Sequence, residues 1–214
     1  MKLRLYHRPR HRILGVIFDN NMAMTDQITA ICKATHYHLY NIGRIRKCIT
    51  QEACEKLIHA FVTSRLDNGN ATLFGLPDNQ LGRLQRMLNI AARITTLTSP
   101  TSHITPVLKE LHWLPVEKRI EYKIVLLTFK ALHGLAPQYI TQLLKPKPTP
   151  RELRSSDANL LKIPRTRTKT FGDRAFSCAA PRLWNALPDG LRDVSTLSVF
   201  KKQLKTTFFK DTYG

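Results

Sequence analysis

Hydrophobic residues recur every three or four positions over most of this chain, which is the spacing of one face of an α-helix. The pattern predicts helices that begin near Thr25, Thr50, Asp78, Pro115 and Ser195. In the second of these helices, the residues expected to face the core are Ala53, Leu57, Ala60, Phe61 and Ser64. The chain is therefore predicted to be mainly α-helical.

One segment, Ile13–Phe18, has the short apolar composition of a buried strand, and the turn-prone residues 19–21 close it. No other segment is clearly strand-like.

The composition changes after residue 144. Prolines, Ser/Thr and many basic residues follow, and both proline and like charge oppose regular structure. We expect a basic linker over residues 145–170. We also expect a mobile extended arm over Pro164–Arg174, which continues past the end of this linker. A small helical element is predicted over 171–214, around Phe176, Leu183, Trp184 and Leu187.

The net charge of +19 and the pI of about 10.2 are the strongest compositional features. Such an excess attracts polyanions, so nucleic acid is the first partner to consider. Basic side chains neutralise backbone phosphates without reading the base sequence. The expected partner is therefore RNA or an RNA–DNA duplex, bound without sequence specificity. The residues expected to contact phosphate are Arg44, Arg46, Lys47, Arg83, Arg86, Arg93, Arg165, Arg167, Lys169 and Arg174.

Other functional classes have weak support in the sequence. No secretory signal or membrane-spanning stretch is recognisable, so the cysteines are expected to be reduced thiols of a cytoplasmic or nuclear protein. Two groups, Cys32 with His36 and His38 and Cys48 with Cys54 and His59, lack the close spacing of zinc knuckles. We expect no metal, no cofactor and no membrane partner. No carboxylate pair or nucleophile has a catalytic context, so no catalytic residues are expected.

Nine segments, in their order and spacing, resemble reverse transcriptases of LINE-type (non-long-terminal-repeat) retrotransposons, in the region that follows the polymerase active site. They are Leu14–Asp19, Ser64–Asp67, Leu84–Arg93, His103–Val116, Arg119–Ile124, Thr128–Pro137, Pro164–Ser177, Leu183–Pro188 and Phe200–Lys201.

This resemblance implies four regions. Residues 1–21 would be a remnant of the palm that includes its last strand, and this strand would have no partner strand here. Residues 22–144 would be a thumb-like helical bundle that grips template and primer. The basic linker and the small C-terminal helical element would follow. At Asn68 and Gly69 the family usually has an aromatic residue and a cysteine, and we expect the glycine to loosen a helix end.

The chain contains no pair of adjacent aspartates. Two-metal phosphoryl transfer needs carboxylates that hold both ions, and the family supplies them upstream of the matching region. The chain is thus expected to be a truncated, non-catalytic fragment, with palm and fingers present only if it is expressed within a longer protein. Two alternatives to nucleic-acid binding stay open: a helical protein–protein adaptor, and an unselected retrotransposon remnant without function.

Overall fold

The computed structural model describes residues 10–147, 159–168 and 170–214. Helices dominate these residues, which confirms the mainly α class. The chain forms two compact units, Met1–Val116 and Glu117–Gly214. Among the described residues, no helix combines the length and the apolar character needed to span a bilayer.

The first unit begins with an antiparallel hairpin of β1 (Arg10–Ile13) and β2 (Val16–Asp19). Leu14 and Gly15 form its two-residue turn and have φ angles of 48° and 86°. Positive φ at both positions is typical of a type I′ hairpin turn. The prediction of a single unpartnered strand over 13–18 is therefore wrong, because the middle of that apolar run is a turn and β1 supplies the partner.

Helices make up the rest of this unit. Two short 3₁₀-helices, Arg46–Cys48 and Asn70–Leu73, and one π-helical turn, His59–Thr63, lie between longer elements. The α-helices are α1 (Thr25–Ile45), α2 (Gln51–Ile58), α3 (Ser64–Asp67), α4 (Asp78–Thr96) and α5 (Ile104–Glu110). Helix α2 begins next to Thr50, as the sequence predicts, and the Thr50 hydroxyl caps it by accepting a hydrogen bond from the Ala53 amide.

The buried face of α2, the π turn and α3 differs from the predicted one. Cys54, Ile58, Val62 and Leu66 are buried, whereas Ala60, Phe61 and Ser64 are exposed. A π-helical turn contains more residues than an α-helical turn. Side chains spaced four residues apart therefore stay on one face of the helix across it. The stripe predicted from α-helical periodicity alone is therefore wrong.

Helices α1 and α4 pack side by side and run in the same direction. At their N-terminal ends, the Gln80 amide nitrogen lies 3.4 Å from the Thr25 hydroxyl. Toward the other end, Gly43 faces the side chain of Ile94. The two helices therefore contact each other near both ends.

The second unit begins at the second residue of α6 (Val116–Leu132). Its other described helices are α7 (Gln138–Thr141), α8 (Phe176–Asn185), α9 (Asp189–Arg192) and α10 (Leu197–Tyr213). Phe129 of α6 stacks on Phe200 of α10, with ring centroids 4.1 Å apart. The apolar run of α6 thus shares a core with the C-terminal helix. The boundary of the two units at 116/117 consequently differs from the division at 144/145 suggested by the sequence.

The described ends of the basic linker are paired with each other. The Lys147 amide donates to the Leu160 carbonyl at 2.9 Å, and the Lys162 amide to the Lys145 carbonyl at 2.8 Å. Leu161 is buried and its amide donates to the side chain of Asn185 in α8. These ends are anchored in the second unit, while the linker's middle lies outside the described residues.

Candidate nucleic-acid interface

The surface formed by α1 and α4 carries basic residues contributed by both helices. Each helix has one acidic residue, Asp26 or Asp78, and both acids lie in the first turn. No Asp or Glu occurs in the remainder of either helix. Because the helices are parallel, the two acids lie at the same end of the pair, and the basic residues follow along its length.

Arg83 and Arg86 extend from α4 toward the flank of α1. The Arg83 guanidinium donates a hydrogen bond from Nη2 to the Thr29 hydroxyl at 3.1 Å. One turn further, burial raises the pKa of the Cys32 thiol, and the positive charges of Arg83 and Arg86 oppose this rise. Both arginines therefore lie beside α1 and contribute positive potential there.

Two tyrosines and an arginine occupy the neighbouring stripe of α1. Tyr37 and Tyr40 are 64% and 61% exposed, which is unusual for large aromatic side chains. The Arg44 guanidinium carbon lies 5.9 Å from the centre of the Tyr40 ring, within cation–π range. Exposed aromatic rings among basic residues suit contact with both bases and phosphates.

We define the α1–α4 basic face as Tyr37, Tyr40, Arg44, Arg83 and Arg86. The sequence predicts its three arginines but not its tyrosines. The sequence did contain a sign of the tyrosines' role: both lie between Lys33 and Arg44, and neither belongs to the apolar stripe of this helix.

Arg46 does not belong to this face, and its prediction as a phosphate contact is corrected. It is only 7% exposed. Its guanidinium donates to the carbonyls of Ile94 and Thr95, at 2.8–3.2 Å, and to that of Ile49 at 2.9 Å. The side chain thus satisfies carbonyls at the C-terminal end of α4, where a cation is also favoured by the helix dipole.

The two other predicted residues of this unit have different surroundings. Lys47 is exposed in the 3₁₀-helix that follows α1. Arg93 is half-buried and donates to the Ser102 carbonyl at 3.0 Å, so it connects α4 to the following loop.

In the second unit, Arg165 and Arg167 are exposed and Arg174 is half-buried. The segment around them is a closed loop, since Thr166 donates to Asp173 and Asp173 forms an ion pair with Arg182 at 2.8 Å. The expectation of an extended arm is therefore corrected for this described part. Lys169 lies outside the described residues.

Within the described residues, no group of three or more His, Cys, Asp or Glu side chains is placed to hold a metal ion. Cys54, from one of the sequence clusters, is fully buried in the core. Comparison of the chain with protein-family models, curated proteins and solved structures finds no match.

Proposed function

We propose that this chain is a non-catalytic piece of a LINE-type reverse transcriptase, which comprises the end of the palm, the thumb-like part and the C-terminal segment. We further propose that it binds RNA or an RNA–DNA duplex through backbone phosphates. The sequence resemblance supports the origin. The observation that supports the binding is the α1–α4 basic face, where three arginines and two exposed tyrosines occur without an intervening acid.

The chemistry of this face favours a phosphate backbone over a protein partner. Arginine forks match phosphate oxygens, and each neutralised phosphate releases counterions, so affinity depends steeply on salt. The tyrosine rings add stacking that tolerates any base. The hydrogen bond from Arg83 to Thr29 restrains that side chain before binding, which lowers the entropy lost in the complex.

A salt titration of RNA binding tests this proposal. In the variant Arg44→Gln/Arg83→Gln/Arg86→Gln, the slope of log affinity against log salt should become shallower by roughly 2 to 3. Each lost phosphate contact contributes about 0.7 on a single strand and 0.9 on a duplex. Binding can be followed by fluorescence anisotropy of a labelled RNA at several salt concentrations.

The matched control is Lys201→Gln/Lys202→Gln/Lys205→Gln, which removes the same charge from exposed positions of α10. It should leave the slope nearly unchanged. An equal loss in both variants would show that only net charge matters. An unchanged slope in the arginine variant would refute the α1–α4 basic face and favour the adaptor hypothesis.

A further inference from the structure

A cleft of about 370 Å³ lies in the first unit between the hairpin, α1 and α3. Its apolar lining comes from Ile17, Ala30 and Ile31, and its polar lining includes Arg12, Arg65 and Asn68. Pockets of roughly 300–1,000 Å³ accommodate small organic ligands, so the cleft is large enough for one.

The charged side chains that line the cleft are all positive. Two arginines contribute to it, and no carboxylate is among the residues that line this described cleft. The nearby Asp19 carboxylate accepts hydrogen bonds from the amides of Asn21, Ala23 and Met24, which connect the hairpin to α1. These hydrogen bonds hold the Asp19 carboxylate in the turn between the hairpin and α1.

Arg65 is held in place by its own helix, because its Nη1 donates to the Phe61 carbonyl at 3.0 Å. Its charge also acts on His38, whose pKa is lowered mainly by burial and further by Arg65. Arg65 is thus a restrained cation at the cleft, and its positive charge favours an anion there.

The cleft is distinct from the α1–α4 basic face. Successive residues of an α-helix are rotated by about 100°, so residues two positions apart lie on opposite sides. Ile31 lines the cleft, whereas Thr29 contacts Arg83 on the α4 side. The cleft and the arginines of α4 therefore lie on opposite flanks of α1.

We propose that this cleft binds a nucleoside 5′-monophosphate group, free or at the 5′ end of a strand. Arg12 and Arg65 hold the phosphate, since two guanidinium groups match the nearly two negative charges of a phosphomonoester at neutral pH. The base lies against the apolar lining, where Ala30 and Ala34 leave room for a flat ring. This assignment does not rest on the proposed function.

Isothermal titration of the full chain with AMP tests the assignment, with adenosine and inorganic phosphate as partial ligands. AMP should bind saturably and at least tenfold more tightly than either partial ligand. Arg12→Gln and Arg65→Gln should each weaken AMP binding about tenfold or more, whereas Arg44→Gln should leave it unchanged. Equal AMP affinity in all three variants, or no advantage of AMP over phosphate, would overturn the assignment.

The variant Ala34→Leu tests the assignment without changing the charge of the cleft. It places a larger side chain in the cleft, so AMP binding should be lost while helix content by circular dichroism is retained. Undiminished AMP binding in folded Ala34→Leu would contradict the assignment. This variant also decides the matter if Arg65→Gln fails to fold.

Two further measurements complete the design. A 5′-phosphorylated RNA hexamer that displaces AMP, where its 5′-hydroxyl form does not, identifies the strand end as a ligand. Failure of both hexamers identifies the free nucleotide. The Arg44→Gln/Arg83→Gln/Arg86→Gln variant should retain AMP binding, so a failure of the RNA proposal can be distinguished from a failure of this one.

Discussion

Gly69 has a backbone conformation and a packing position that require glycine. Its φ is +63°, and a Cβ atom at this position would lie 2.6 Å from Cγ2 of Val16. Left-handed φ is unfavourable for other residues, and the close contact adds to that cost. Gly69 therefore ends the helical segment and allows β2 to approach, instead of loosening the helix as its sequence context suggested.

Gly69→Ala should lower the free energy of unfolding of the first unit by about 1–3 kcal/mol. Denaturant unfolding of a Trp184→Phe background measures this, because the buried Trp113 is then the only tryptophan and reports on that unit. The matched control is Gly82→Ala, at a position inside α4 where a Cβ meets nothing within 4 Å.

The control should change stability in the opposite direction, raising it by about 0.5–1 kcal/mol, because alanine is the better helix former. Loss of stability in both variants would contradict the specific role of Gly69. A neutral effect of Gly69→Ala would show that Val16 moves aside without cost.

Helices α6 and α10 stabilise the second unit through aromatic contacts. Phe200 is fully buried, stacks on Phe129 and lies 5.9 Å from the ring of Trp184, measured between ring centroids. Removing its ring would leave a cavity among three elements, and rigid packing prevents full collapse.

Phe200→Ala should therefore destabilise this unit by about 3–5 kcal/mol. In a Trp113→Phe background, denaturant unfolding followed by Trp184 fluorescence reports on it selectively. The neighbouring Val199 is 45% exposed, and Val199→Ala should change stability by less than about 0.5 kcal/mol. Similar losses in both variants would argue against the aromatic core.

The elements with regular periodicity could be predicted from the sequence, and those that depend on distant partners could not. The helix predicted to begin near Ser195 is α10, and its Phe200, Leu204 and Phe208, spaced four residues apart, are buried. The hairpin was missed because its turn lies inside an apolar run. Arg46 was misassigned because the carbonyls that bind it belong to residues 48 and 49 positions away. Tertiary contacts of this kind leave no local pattern.

The positive charge is distributed over the whole molecule. Lys and Arg outnumber Asp and Glu in both units, by 15 to 7 in the first and by 19 to 8 in the second. A field of this kind attracts polyanions to either unit, but only residues in contact with phosphate contribute to the salt dependence of binding. The slope of log affinity against log salt can therefore distinguish surfaces that contact the RNA backbone from surfaces that only attract it.

The second unit offers its own candidate contacts, the exposed Arg165 and Arg167 with the adjacent Lys169. Replacing these three residues by Gln should make the salt slope shallower by roughly 2 to 3 if each contacts phosphate. Helix content by circular dichroism should remain unchanged, because Arg165 and Arg167 lie outside the described helices.

If both units bind one RNA, combining this triple variant with Arg44→Gln/Arg83→Gln/Arg86→Gln should lower the slope by roughly 4 to 6, since independent contacts add. The same anisotropy titration, with the α10 lysine variant as the charge-matched control, measures the sum. If the combined variant has the same slope as the first-unit variant alone, Arg165, Arg167 and Lys169 do not contact the RNA. The α1–α4 basic face would then be the surface that holds the backbone.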